Sequence, residues 1–277
     1  MDNSESRRGF LKRSLAGGFA LASGAVLAQV IHTESTGLVA GPVEIPVPDG
    51  KIPGYRALPA HGGKFPVVLV VQEIFGVHEH LKNVCRRYAK LGYYAIAPEM
   101  FARQGDVSGM SGIDEIMTKI VPRVPDAQVM ADLDAALAFA TSGGHVDSSR
   151  ASAVGFCWGG RAVWLYAVHN PNLRAGVAYY GRLKGMTNDI KPKDPLDVAG
   201  SLIVPVLGLY AGLDIYIKAD AVEQMRAELA KGSSGSEIIV FPGVNHGFNA
   251  DYRPDYDKIA ADYAWKLAHE WLRDHGA

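Results

Sequence analysis

Residues 65–71 (Phe-Pro-Val-Val-Leu-Val-Val) form an almost unbroken apolar run. A run of that length marks a strand buried on both faces of a mostly parallel sheet. Residues 93–98, 176–180, 204–210 and 237–241 repeat the pattern. Between them the spacing changes from two to near four. Residues 80–91 place Leu81, Val84, Cys85, Tyr88 and Leu91 on one helical face and stop at Gly92, a C-cap residue. Residues 126–141, 161–170, 218–231 and 256–274 also read as helices. Ahead of these units, residues 41–58 alternate short β-type runs with Pro46, Pro48, Asp49-Gly50 and Pro53, which predicts a hairpin at a sheet edge. Residues 101–125 are loop-rich and long enough to cover a site. Strands alternating with helices predict an α/β fold, a mostly parallel sheet flanked by helices on both faces. In such sheets ligands bind at the carboxyl ends of the strands.

The first residues follow a different pattern. Ser6-Arg7-Arg8-Gly9-Phe10-Leu11-Lys12 resembles the twin-arginine export motif, and residues 15–30 are moderately apolar, rich in Gly and Ala, and include Val26-Leu27-Ala28. Residues 1–28 are therefore expected to be a signal peptide read by the twin-arginine export machinery through residues 6–12, with 29–40 a linker and 41–277 the folded domain. The segment is short and diluted by Gly17, Gly18, Ser23 and Gly24, so no stable membrane anchor is expected. This address predicts a periplasmic protein, exported folded. Its removal takes away four basic and two acidic residues, moving the formal charge from -1 to -3.

Composition narrows the function. A chain of 277 residues, 48% apolar, can bury one substantial core. No Lys/Arg block lies outside the N-terminus, which argues against a nucleic-acid partner and for a small molecule. Cys85 and Cys157 are too few for a disulfide framework and are expected to be free thiols. No metal and no cofactor are expected: in His78-Glu79-His80, neighbouring residues do not face one another on a helix, and the triplet reads as a helix start.

The chemistry centres on Gly155-Phe156-Cys157-Trp158-Gly159-Gly160, which follows the apolar residues 151–154 and opens a helix. A nucleophile elbow is written Gly-x-nucleophile-x-Gly because only small flanking residues let strand and helix approach so closely. Here the occupant is cysteine, so the implied nucleophile is a thiolate, which needs a base and a group to orient that base. Asp214 and His246, each in a loop after a predicted strand, complete the order nucleophile, carboxylate, histidine of α/β-hydrolases. Asp220 competes with Asp214 for the carboxylate role. Glu73 and Arg103 also fall just after predicted strands, so the topology brings them to the same sheet edge.

Taken with Gln72-Glu73-Ile74-Phe75-Gly76, Ala102-Arg103-Gln104, Tyr179-Tyr180-Gly181 and His246-Gly247-Phe248, these residues make the chain resemble the dienelactone hydrolase family from about Pro42 to the C-terminus. The resemblance implies a compact α/β-hydrolase fold. It implies a carboxylic ester or lactone hydrolase acting through a Cys157–His246–Asp214 triad and a thioester acyl-enzyme on a small, carboxylate-bearing substrate. It further implies that the backbone N–H groups of Ile74 and Trp158 form the oxyanion hole, that Glu73 takes part in activating the cysteine, and that Arg103 grips the substrate carboxylate. The chain departs from the better-studied members in one place. They carry serine directly after the histidine and a second carboxylate-binding arginine four residues after it, where this chain has Gly247 and Ala250, with Arg253 three residues later. The alternative from another class is a non-catalytic small-molecule-binding homologue.

Overall fold

The computed structural model describes residues 31–110 and 112–277; the expected signal segment, residues 1–28, lies outside them. Strands β1 (Leu38–Val47) and β2 (Gly50–Pro59) form the predicted edge hairpin, and β1 already begins at Leu38, inside the stretch expected as linker. Then follow β3 (Phe65–Val71), α1 (Glu79–Lys90), β4 (Tyr94–Pro98), α2 (Ile113–Lys119), α3 (Asp126–Ser142), β5 (Val146–Phe156), α4 (Trp158–His169) and β6 (Ala175–Tyr179). The chain closes with α5 (Pro195–Val198), β7 (Val206–Ala211), α6 (Ala219–Leu229), β8 (Glu237–Phe241) and α7 (Lys258–Asp274).

The eight strands form one sheet in the order β1-β2-β4-β3-β5-β6-β7-β8. The β1–β2 and β2–β4 pairs are antiparallel and every pair from β4 to β8 is parallel. Val67 to Val71 are fully buried, as a central strand covered on both faces must be. The helices pack in pairs. Tyr88 of α1 meets Trp265 of α7 with ring centroids 4.6 Å apart, and the Tyr166 hydroxyl of α4 donates to Asp134 of α3 at 2.9 Å. This is the α/β-hydrolase architecture expected from the alternating pattern, and because β3, β5, β6, β7 and β8 run parallel, the loops after them share one sheet edge.

Two stretches hold more structure than their sequence predicts. Residues 101–125 contain α2 and a short 3-10 turn at Val121–Arg123, and α5 forms between β6 and β7. Both are fixed by contacts distant in sequence. The buried Lys191 donates to the carbonyls of Val121 and Val124 at 3.0 and 2.8 Å, and Arg161 on α4 donates to both oxygens of Asp126. Buried charge needs such partners, and here they tie the two connections to α4.

Candidate active site

The turn from β5 into α4 has the geometry that the hexapeptide demands. Cys157 adopts φ 53° and ψ -113°, a region costly for a residue with a Cβ, and its N–H donates to the Tyr179 carbonyl at 3.0 Å. The glycines are sterically required. A Cβ on Gly155 would come within 2.2 Å of the Gly159 carbonyl oxygen, and one on Gly159 within 2.4 Å of the carbonyl oxygens of Val71 and Gln72. Strand β3, strand β5 and helix α4 therefore touch through backbone alone at the point where the sulfur is presented.

Three of the predicted residues come together there. His246 Nε2 lies 3.2 Å from Cys157 Sγ, and its Nδ1 lies 2.7 Å from Asp214 Oδ2. The other oxygen of Asp214 accepts the backbone N–H groups of Tyr216 and Ile217 at 2.8 and 3.1 Å, so the loop that follows β7 closes around its own carboxylate. Asp220, the competitor, instead pairs with Lys184 at the surface. The imidazole is flanked by the rings of Tyr180 and Tyr216, 5.0 and 5.2 Å away between centroids. Burial by itself would lower its pKa. The Cys157 sulfur and the Asp214 carboxylate outweigh burial and push His246 up to about 10. Cys85 is free like Cys157 but fully enclosed on α1, and burial pushes its thiol up.

Trp158 opens α4, so its N–H belongs to the first turn, where a helix offers no internal acceptor. Ile74 sits in the tight turn closed by the isolated bridge between Glu73 and Gly76. Both residues follow the ends of β3 and β5, which are neighbours in the sheet.

Glu73 is fully buried, and it caps nothing: His78 occupies the N-cap of α1 and no side chain caps that end. The Tyr252 hydroxyl donates to Glu73 Oε2 in a short hydrogen bond, and His78 Nε2 approaches the same oxygen at 3.7 Å, an ionic contact beyond hydrogen-bond range. Burial would raise the carboxyl's pKa. The His78 side chain and the fields of His80 and Arg253 outweigh it and hold Glu73 at about 2. His80 Nδ1 in turn meets Asp251 at 2.7 Å. The triplet 78–80 is the start of α1, as read from the sequence, and its two histidines also wall the Glu73 pocket.

Arg103, expected to grip the substrate carboxylate, is paired within the chain. Its guanidinium makes four hydrogen bonds of 2.7 to 3.0 Å, two to Asp49 in the β1–β2 turn and two to Asp132 on α3. With its Nε, Nη1 and Nη2 all committed to two carboxylates, the guanidinium has no open fork for a third. Arg253 stands differently. Its guanidinium packs against Gly247, where a Cβ would come within 2.8 Å of Nη1, and its one ion pair among the described residues is Asp255 at 3.9 Å. Although burial opposes its charge, Tyr252, Glu73 and Cys157 act on it strongly enough to raise its pKa. Gly247, at φ +80°, leaves room for the Arg253 head group. Tyr252 and Tyr216 carried no signal in the sequence, because each reaches the site through a loop whose path local pattern does not specify.

Comparison with known proteins agrees with the fold. The model of the "Dienelactone hydrolase family" matches residues 52–276. The chain is 54% identical over 272 residues to a Methylorubrum extorquens protein described as "Putative carboxymethylenebutenolidase", covering 98% of this chain and 94% of that protein. A protein of Escherichia coli O157:H7 with the same description is 46% identical over 260 residues, covering 94% of this chain and 96% of the relative. Among solved structures, a "Putative Dienelactone Hydrolase from Klebsiella pneumoniae" superposes with a TM-score of 0.83 at 46% identity, covering 85% of this chain and 98% of its own. The chain is a hydrolase, and it belongs to the dienelactone hydrolase family.

Proposed function

We propose that this protein hydrolyses a small carboxylate-bearing ester or lactone through a thioester on Cys157. The observation that carries the reading is the continuous chain from Cys157 Sγ to His246 to Asp214, at 3.2 and 2.7 Å, with the cysteine on a strained elbow. In the proposed reaction the thiolate attacks the scissile carbonyl, and the developing oxyanion is met by the N–H groups of Ile74 and Trp158. His246 gives its proton to the leaving alkoxide, the C–O bond breaks, and a thioester remains. Water then attacks the thioester while His246 takes its proton. The carboxylic acid leaves and the thiolate is restored against the imidazolium. Asp214 holds Nδ1–H throughout, which fixes the tautomer that keeps Nε2 toward sulfur. For a lactone the alkoxide stays tethered to the acyl group, and a single hydroxy acid is released.

The carboxylate grip in this scheme belongs to Arg253, whose one ion pair among the described residues is the long contact to Asp255 at 3.9 Å, whereas the Arg103 fork is occupied. Glu73 serves as the activating carboxylate. Its pKa is held low, and it accepts the Tyr252 hydroxyl. The test is turnover of p-nitrophenyl acetate and of a dienelactone by the purified protein beside Cys157→Ala and His246→Ala. Loss of at least about a thousandfold in both variants is expected. Equal turnover by all three proteins would rule out the route through Cys157 and His246.

A further inference from the structure

Three large apolar residues on the loop after β7 are turned to solvent around the carboxylate that orients His246: Leu213 at 55%, Ile215 at 74% and Tyr216 at 48% exposed. Exposed apolar side chains are ordinary when scattered, but three in four consecutive positions beside a reactive centre are not. This loop is held in place by the site itself. Asp214 Oδ1 accepts the N–H groups of Tyr216 and Ile217, Leu213 N–H donates to the Val244 carbonyl at 3.0 Å, and the Tyr216 ring stands edge-on to His246 at 5.2 Å. The same carboxylate therefore fixes the imidazole and the apolar lip beside it.

Resting on the hydrolase reading above, we infer that Leu213, Ile215 and Tyr216 form a binding lip for an apolar arm of the substrate, carried on the alcohol side of the scissile bond. The side follows from the chemistry. His246 must reach the leaving oxygen to protonate it, so the group attached to that oxygen departs along the His246 flank, where the lip lies. The oxyanion donors Ile74 and Trp158 come from the other strand ends, after β3 and β5. A substrate of this class is an ester whose alcohol part has several carbons, larger than the ring of a minimal lactone. The lip removes part of that arm from water, and its prior immobilisation by Asp214 means that little ordering is needed on binding.

The experiment compares ethyl, butyl and hexyl acetate, followed by acid release, with p-nitrophenyl acetate, butyrate and hexanoate, for the wild-type chain, Ile215→Ser and Leu213→Ser. Both substituted residues are exposed and lie outside the reacting groups. For the wild type, kcat/KM is expected to rise by at least about fivefold from ethyl to hexyl acetate. The two variants should flatten that rise to less than about twofold and leave ethyl acetate hydrolysis within about twofold of wild type. An unchanged alcohol-series slope in both variants, or a slope lost only in the acyl series, overturns the inference. So does a flat wild-type series combined with a shift from dimer to monomer in the variants by sedimentation, which would assign the lip to a second copy of the chain. If p-nitrophenyl acetate is not hydrolysed, or is hydrolysed equally by Cys157→Ala, the hydrolase reading fails instead.

Discussion

Arg253 occupies the space that a side chain on Gly247 would need, directly behind His246: a Cβ there would stand 2.8 Å from its Nη1 and 3.2 Å from its Cζ. The seat of Arg253 therefore depends on the absence of a side chain at 247. Gly247→Ser should push the guanidinium out of its seat and also strain a backbone position at φ +80°. KM for a carboxylate-bearing ester is expected to rise by about tenfold or more, as for the loss of a charge-assisted pair. Neutral p-nitrophenyl acetate should change far less, and Arg253→Ala should reproduce the split.

Arg103 is predicted to matter for stability and not for substrate. Asp132 is buried and relies on the Arg103 guanidinium for its charge. Arg103→Ala strands that carboxylate, and breaking such a pair costs about 3 kcal/mol or more. Urea denaturation should show this loss, while kcat/KM on carboxylate-bearing and neutral esters falls in parallel by no more than about twofold at a temperature where the variant is folded. A selective loss on the carboxylated substrate would return Arg103 to the site.

His246 links folding to pH. Its pKa is raised in the folded chain from an ordinary 6.5 to about 10. A raised value means that the stabilisation is fully present below 6.5 and is lost as pH climbs through 10. The melting temperature should therefore decline between these values, and Cys157→Ala, which removes the neighbouring sulfur, should shift the decline to lower pH. A decline at the same pH in both proteins would show that the sulfur does not hold the imidazolium.

Glu73 has the opposite sign. With its pKa lowered from an ordinary 4.5 to about 2, its contribution is present above 4.5 and is lost as pH falls through 2. Tyr252→Phe keeps the ring and removes the donor from a buried carboxylate, for an expected loss of about 2 kcal/mol measured by denaturation at neutral pH. Combining it with Glu73→Gln should cost less than the sum of the two changes, since both remove one hydrogen bond.

The address remains to be tested on the full chain. Replacing Arg7 and Arg8 by lysine should leave the protein in the cytoplasm, and cell fractionation followed by N-terminal sequencing of the exported form reads both localisation and the cleavage position.

How much of this was legible in advance depends on the range of the interactions. The strand at Phe65–Val71 was readable because both its faces are apolar, and the elbow because a close backbone crossing admits only glycine at 155 and 159. Asp214 and His246 were readable from their order along the chain. The partners of Arg103 were not, because Asp49 comes from a hairpin turn and Asp132 from a helix, and no local pattern says that they meet. Tyr252 reaches Glu73 across 179 residues of sequence, a contact set by the fold alone. The helices α2 and α5 span 7 and 4 residues, too short for a period to emerge.

The central claim is that acyl transfer passes through Cys157, and trapping the acyl group tests it most directly. Rapid acid quench of the protein during turnover of p-nitrophenyl acetate, followed by peptide mass spectrometry, should find one acetyl group on the peptide that carries Cys157. That label should be absent from the Cys85 peptide and from Cys157→Ala. Steady turnover by Cys157→Ala, or acetyl found on another residue with Cys157 unmodified, would contradict the account.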